Sequence, residues 1–179
     1  MTALVFVDTN VLLYARDGSE TAKRARAQAW LEHLWQERLG RTSMQVLSEY
    51  YVNLKRLGGS RLPAEEAWER VSRYFAWTPQ AADEALLRLS RQIERRHRIS
   101  WWNSMVVGAA QLQDCSLLLT EDLRDGAVFG GVRVRSPFTL ALEERAAVYA
   151  VRPVPATRHR APGRPRRRAV PPRLVRETG

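Results

Sequence analysis

Short apolar runs and longer stretches of mixed polarity alternate along most of the chain. The short runs are typical of buried strands, and the longer stretches place apolar residues at helical spacing among Arg and Glu. We predict strands over residues 3–7, 39–43, 116–120 and 132–135, with 76–79 as a short edge strand. We predict helices beginning at residue 11 and over residues 21–37, 46–57, 63–75, 84–97 and 101–113. Strands alternating with helices indicate an α/β domain around a largely parallel sheet.

One polar residue interrupts the most apolar of these helices. Asn103 stands in the segment ISWWNSMVVGAAQLQ. At 100° per residue it shares an apolar sector with Trp102, Val106 and Val107, whereas Ser104 marks a wetter side. A buried amide without partners would cost about 1–3 kcal/mol. We therefore expect Asn103 to have a hydrogen-bond partner that is connected with function.

Acidic residues follow two of the predicted strands. Asp8 ends the run over residues 3–7, and Glu121 and Asp122 end the run over residues 116–120. In open α/β sheets, ligand sites form outside the carboxyl ends of strands. A single Asp there is equally well explained as a helix cap. Glu49 lies at the flank of its helix, and periodicity alone favours an ordinary solvated side chain.

Charge is distributed unevenly along the 179 residues, whose net charge is +10. Residues 151–179 contain nine Arg, one acid and six of the nine prolines, whereas the first 150 residues carry a net charge of only +2. Such a segment buries too little apolar surface to fold, and we predict a disordered tail. Its arginines, among them Arg166, Arg167 and Arg168, are candidates for binding nucleic-acid phosphates. A solvated extension without such a role is equally consistent with the composition.

Several classes of protein are excluded by composition. The single cysteine, Cys115, rules out a disulfide framework and a Cys-based zinc site. No apolar stretch approaches the ~18 residues that a membrane span requires, and the first residues do not resemble a signal peptide. Neither G-x-G-x-x-G nor G-x-x-x-x-G-K occurs, which excludes these phosphate-binding loops. We expect a cytoplasmic protein that does not interact with membranes.

Four segments, in order, resemble PIN-domain proteins of the kind found in VapC-type toxins of bacterial toxin–antitoxin pairs. They are FVDTNVLLYA, TSMQVLSEYYVNLKR, ISWWNSMVVGAA and CSLLLTEDLRDG. The resemblance covers residues 3 to about 142. It implies a three-layer α/β/α sandwich with a central, mainly parallel sheet. We accordingly predict a PIN-like domain over residues 1–145 and an Arg/Pro-rich tail over residues 146–179.

The resemblance also implies a chemistry. In the family, acids converge on one or two divalent metal ions, here Mg²⁺ or Mn²⁺, which activate water to hydrolyse RNA. The expected metal-binding and catalytic positions are Asp8, Glu49, Asn103 and Asp122, with Thr9, Asn10, Thr120 and Glu121 as supporting polar residues. The implied partners are an RNA substrate, a cognate antitoxin protein and a second copy of the chain in a homodimer.

Asn103 departs from the family pattern, which usually has Asp at this position. Asn keeps the shape and one acceptor oxygen but loses a negative charge, and its NH₂ group cannot bind a cation. The alternative function is therefore a PIN-fold module that binds RNA or an antitoxin without cutting. A haloacid-dehalogenase-like phosphatase is less consistent with the sequence, because Asn10 replaces that family's second Asp and no suitable lysine motif follows.

Overall fold

A computed structural model describes residues 3–56 and 61–139, where five strands form one sheet flanked by helices. The strands are β1 (Leu4–Val7), β2 (Gly40–Arg41), β3 (Cys115–Leu119), β4 (Val128–Phe129) and β5 (Val132–Arg135). The helices are α1 (Thr9–Tyr14), α2 (Thr21–Gln36), α3 (Met44–Leu54), α4 (Ala64–Arg73), α5 (Glu84–His97) and α6 (Trp101–Leu112).

The strand order is β2-β1-β3-β5-β4, and only the β4–β5 pair is antiparallel. Val7 pairs with Leu119, so β1 and β3 end opposite each other. Their carboxyl ends therefore lie at the same edge of the sheet. The expected α/β/α architecture with a mainly parallel sheet is confirmed.

The apolar runs of β1 and β3 form the centre of the core. Phe6 and Leu118 are completely buried, as expected for strands that are covered by helices on both faces. α6 packs against β3 and against α5. Gly108 allows this close approach, because a Cβ atom there would lie 3.0 Å from the hydroxyl oxygen of Ser90 in α5.

The edge strand predicted over residues 76–79 is wrong. The chain instead forms a 3₁₀ turn (Tyr74–Trp77) that ends at Thr78, whose φ of 51° is left-handed. Trp77 is buried and its ring contacts those of Trp35 and Tyr74. Because this large side chain is buried, the backbone turns towards the core and does not extend along the edge of the sheet. A single parallel bridge between Ser43 and Gln80 forms in place of the strand. The two-residue β4 was too short to predict from periodicity.

The predicted tail, including Arg166, Arg167 and Arg168, lies outside the described residues. Within residues 3–56 and 61–139, no helix is both long enough and apolar enough to span a bilayer.

Candidate metal centre

Asp8 lies at the carboxyl end of β1 and is 5% exposed. As the N-cap of α1, it accepts a hydrogen bond at Oδ1 from the backbone N–H of Thr9 (2.7 Å). The strand register places Thr120 beside it, and the Thr120 hydroxyl donates to Oδ2 (2.7 Å). The side-chain amide of Asn10 also donates to Oδ2 (3.3 Å). Three donors thus fix the orientation of a buried carboxylate.

The electrostatic environment of Asp8 is unfavourable to its charged form. Burial raises the pKa of Asp8 to about 6, and the hydrogen bonds from Thr120 and Thr9 offset this only in part. The negative charges of Asp122 and Glu49 raise that pKa further. A buried acid with a raised pKa and like-charged neighbours is typical of functional sites. A bound cation would favour the charged form by attraction.

Glu49 lies on α3, and its carboxylate is held in place from two elements. Oε2 accepts a hydrogen bond from the hydroxyl of Thr9 (3.0 Å), and Oε1 accepts one from the amide of Gln45 (3.0 Å). The half-buried Glu49 is thereby joined to the residue that follows Asp8. Gln45 was not among the residues predicted for the site, although it precedes Glu49 by four residues and so shares its helix face.

The loop after β3 brings the remaining predicted residues to the same edge of the sheet. The fully buried Thr120 hydroxyl, which donates to Asp8, also accepts hydrogen bonds from the amide of Asn10 (3.0 Å) and from the backbone N–H of Asp122 (3.1 Å). The backbone carbonyl of Asp122 accepts a long hydrogen bond from the amide of Asn103 (3.4 Å). A continuous series of hydrogen bonds thus joins β1, β3 and the first turn of α6.

Asn103 has a hydrogen-bond partner, as predicted, but its side chain is not packed as predicted. It is half-buried, and the preceding Trp102 is 62% exposed, so this part of the predicted packed sector is wrong. A short connection links the end of α6 to the start of β3. The first turn of α6 therefore lies near the carboxyl end of β3, beside the site. Ser104, predicted on the wetter side, is fully buried, because α6 packs between the sheet and α5. Its hydroxyl donates to the carbonyl of Ser100 (2.8 Å).

Two neighbouring acids are engaged elsewhere. Glu121 forms an ion pair with Lys23 of α2 (3.0 Å). The ammonium group of Lys23 also donates a hydrogen bond to the hydroxyl of Tyr14 (3.2 Å). Asp125 accepts hydrogen bonds from the side chain of Arg135 (3.1 Å) and from the backbone N–H of Ser136 (2.8 Å). Both acids therefore fasten the loop after β3 to the body of the protein.

The donor set suits a hard divalent cation. It consists of carboxylate and amide oxygens, which Mg²⁺ and Mn²⁺ prefer. The buried Oδ1 of Asn10 has no hydrogen-bond partner among the described residues, so a further acceptor is present at this edge. In that part of the chain, no group of three or more His, Cys, Asp or Glu side chains is arranged to hold a metal ion. A cation at this edge would therefore take only some of its ligands from these side chains and the rest from water, as Mg²⁺ commonly does.

The comparisons with known proteins concern the family and the fold. A sequence model of the PIN domain matches residues 5–126, a range that includes all the residues of the candidate centre. The fold is similar to a chain of a toxin–antitoxin complex from Klebsiella pneumoniae, with a TM-score of 0.52 and 20% sequence identity. The match covers 74% of this chain and 97% of that chain. No curated protein matches the chain.

Proposed function

Because the chain belongs to the PIN domain family, we propose that it is a metal-dependent endoribonuclease, the toxin of a toxin–antitoxin pair. PIN domains are generally nucleases and typically use divalent metal ions. The observation that carries the proposal is the buried carboxylate of Asp8, which hydrogen bonds through Thr9 and Thr120 connect to Glu49 and to the backbone of Asp122. Such an arrangement favours a cation.

Asp8, Glu49 and Asp122 would hold Mg²⁺ or Mn²⁺, with Asn103 contributing its side-chain oxygen. When bound, such a cation activates water and stabilises negative charge on the scissile phosphate. In the overall reaction, the oxygen of water bonds to phosphorus and the bond from phosphorus to one ribose oxygen breaks. The departing ribose oxygen receives a proton.

The chain's own hydrogen bonds would keep the acids in place through this reaction. Thr120 and the backbone of Thr9 fix both oxygens of Asp8. Thr9 and Gln45 fix both oxygens of Glu49. Oriented, partly desolvated carboxylates need little rearrangement when a cation arrives, which strengthens binding. Thr9 is thus the residue that couples the two acids.

The proposed partners follow from the family and from the structural neighbour. That neighbour is a toxin–antitoxin complex, which supports an antitoxin protein as a partner of this chain. We also propose an RNA substrate, a homodimer and a cytoplasmic location.

The alternative is a PIN-fold module that binds RNA or an antitoxin without cutting it. Asn103 favours this alternative, because the amide supplies no negative charge where the family usually has Asp. Among the described residues, no three acids are already arranged to hold a metal ion. Fewer charged ligands mean weaker binding of a divalent cation.

Cleavage of RNA distinguishes the two functions. The protein, freed of any co-purifying partner, is incubated with total cellular RNA and Mn²⁺ or Mg²⁺, with and without EDTA. The nuclease should cleave only with metal, and Asp8→Asn and Glu49→Gln should each abolish cleavage. Glu84→Gln is the matched control, because Glu84 lies on the exposed surface of α5, where it pairs with Arg88. Absence of metal-dependent cleavage, or cleavage that survives Asp8→Asn, would contradict the proposal.

A further inference from the structure

The carboxylate of Asp122 lacks the direct support that the other two acids of the candidate centre have. Both oxygens of Asp8 and both oxygens of Glu49 accept hydrogen bonds. In the part of the chain that the structure describes, no donor bonds to the side chain of Asp122. Its backbone N–H donates to the hydroxyl of Thr120, which in turn donates to Asp8. The placement of the Asp122 carboxylate beside Asp8 therefore depends on how the loop after β3 is held.

Glu121, the residue before Asp122, is held by Lys23 of α2. The ammonium nitrogen of Lys23 lies 3.0 Å from Oε1 and 3.3 Å from Oε2 of Glu121. It also donates to the hydroxyl of Tyr14 (3.2 Å), and it lies over the rings of Tyr14 and Phe138, 4.4 and 5.3 Å from their centroids. Lys23 thus joins the end of α1, the loop after β3 and the segment after β5.

This ion pair differs from those on the open surface of the protein. The side chains of Lys23 and Glu121 are 30% and 28% exposed, whereas those of Arg88 and Glu84 are 75% and 77% exposed. An exposed pair contributes little, because water screens it and both side chains must be ordered. A partly buried ammonium group between aromatic rings is less screened and is attracted to the ring faces. Lys23 also lies 3.5 Å from Glu20 in its own helix, farther than from Glu121.

We propose that Lys23 is a positioning residue of the metal centre, which holds Glu121 so that the loop keeps the carboxylate of Asp122 beside Asp8. The inference rests on the proposed function and names a further residue on which it depends. Residues that orient a metal ligand strengthen binding, because less rearrangement is needed when the cation arrives. The positive charge of Lys23 would by itself repel a cation. Positioning and simple electrostatics therefore predict opposite effects when that charge is removed.

Calorimetric titration of the metal-free protein with Mn²⁺ at pH 7 separates these two effects. Lys23→Met keeps an apolar stem between the two aromatic rings and removes the ammonium group. It should bind Mn²⁺ about tenfold more weakly than wild type, the lower end of the range for residues that orient metal ligands. Lys23→Arg, which can still pair with Glu121, should retain most of the affinity. Affinity in Lys23→Met that equals or exceeds that of wild type would overturn the proposal.

Lys55→Met is the matched control for this titration. Lys55 also lies over a tyrosine ring, that of Tyr51, with its nitrogen 4.5 Å from the centroid. It forms no ion pair with a described residue. Lys55→Met should therefore bind Mn²⁺ as wild type does, and thermal melting verifies that each variant is folded.

The Asp122→Asn background distinguishes positioning from a general effect on the fold. Once the carboxylate is absent, its placement no longer matters. Adding Lys23→Met to Asp122→Asn should therefore leave the remaining Mn²⁺ affinity unchanged. A further tenfold loss in the double variant would show that Lys23 acts on the centre by another route and would overturn the proposal.

Hydrogen exchange in EDTA tests the hold on the loop without metal. The backbone N–H of Asp122, which donates to Thr120, should exchange severalfold faster in Lys23→Met than in wild type and in Lys55→Met. Exchange in β1 and β3 should be the same in all three proteins. Equal exchange at Asp122 would overturn the proposal. Absence of Mn²⁺ binding in wild type would instead contradict the nuclease proposal, and the exchange rates would then decide alone whether Lys23 holds the loop.

Discussion

Asp8 is a buried acid, and burial disfavours the negative charge that a solvated Asp carries at neutral pH. Its pKa is about 6 in the folded protein and 3.8 in a solvated side chain, with burial as the main cause. The folded protein thus binds this proton more tightly than the unfolded chain. The contribution of Asp8 to the free energy of unfolding is fully present below about pH 4 and is lost as the pH rises through about 6.

The resulting prediction concerns the metal-free protein. Urea unfolding in EDTA should show that Asp8 lowers the free energy of unfolding between pH 4.5 and pH 7, by roughly 2 kcal/mol. Other groups titrate in the same range, so the comparison is with Asp8→Asn. The difference in stability between wild type and Asp8→Asn should change with pH in that direction. A difference independent of pH would show that the pKa of Asp8 is not raised.

Asn103 is the residue through which the centre departs from its family. Asn103→Asp would place another negative charge near Asp8 and Asp122. Repulsion should lower the melting temperature without metal, and Mn²⁺ should restore it by binding the folded state. We expect Mn²⁺ affinity to rise by about tenfold, a scale set by one added charge in a partly buried site.

RNA cleavage by the two forms is the accompanying measurement. The rate should rise in Asn103→Asp, and Asp8→Ala in that background should abolish the gain. Equal rates in wild type and Asn103→Asp would show that position 103 does not limit metal binding. If neither form cleaves or binds metal, the non-catalytic module is the correct function.

At the scale of elements, sequence predicted the strands that carry Asp8 and Asp122, because β1 and β3 are short apolar runs that end at polar residues. The sequence pattern did not predict the direction of the Glu49 side chain. Helical periodicity places Glu49 at the flank of α3, and only the resemblance assigned it to the centre. The bond from Thr9 depends on how α3 packs against α1, which no local pattern encodes.

The missed 3₁₀ turn provides a test of packing at the edge of the sheet. A Cβ atom on Gly40 in β2 would overlap the indole ring of Trp77. That ring is buried and contacts the rings of Trp35 and Tyr74. Gly40→Ala should therefore destabilise the protein by about 1–3 kcal/mol, as overpacking does. Chemical unfolding measures this, with Gly131→Ala as the control, since no described atom lies within 4 Å of a Cβ there. Equal stability of the two variants would contradict this account of the turn.

For the whole molecule, the fold class could be predicted from the sequence, since alternation of strands and helices leaves few topologies. The tail is a prediction from composition alone. Truncation after Ala150 should leave the melting temperature unchanged and reduce the salt dependence of RNA binding, because nine arginines are removed. Binding titrations at several salt concentrations measure this. A truncated protein that does not fold, or whose salt dependence is unchanged, would contradict the prediction.

The central claim is that acids from β1, α3 and the loop after β3 form one divalent-metal site. Calorimetric titration of the metal-free protein with Mn²⁺ at pH 7 tests it most directly. We predict binding that Asp8→Asn, Glu49→Gln and Asp122→Asn each weaken by about tenfold or more, while Glu84→Gln binds as wild type does. The account would be contradicted if wild type did not bind Mn²⁺, or if Asp8→Asn and Glu49→Gln left the affinity for Mn²⁺ unchanged.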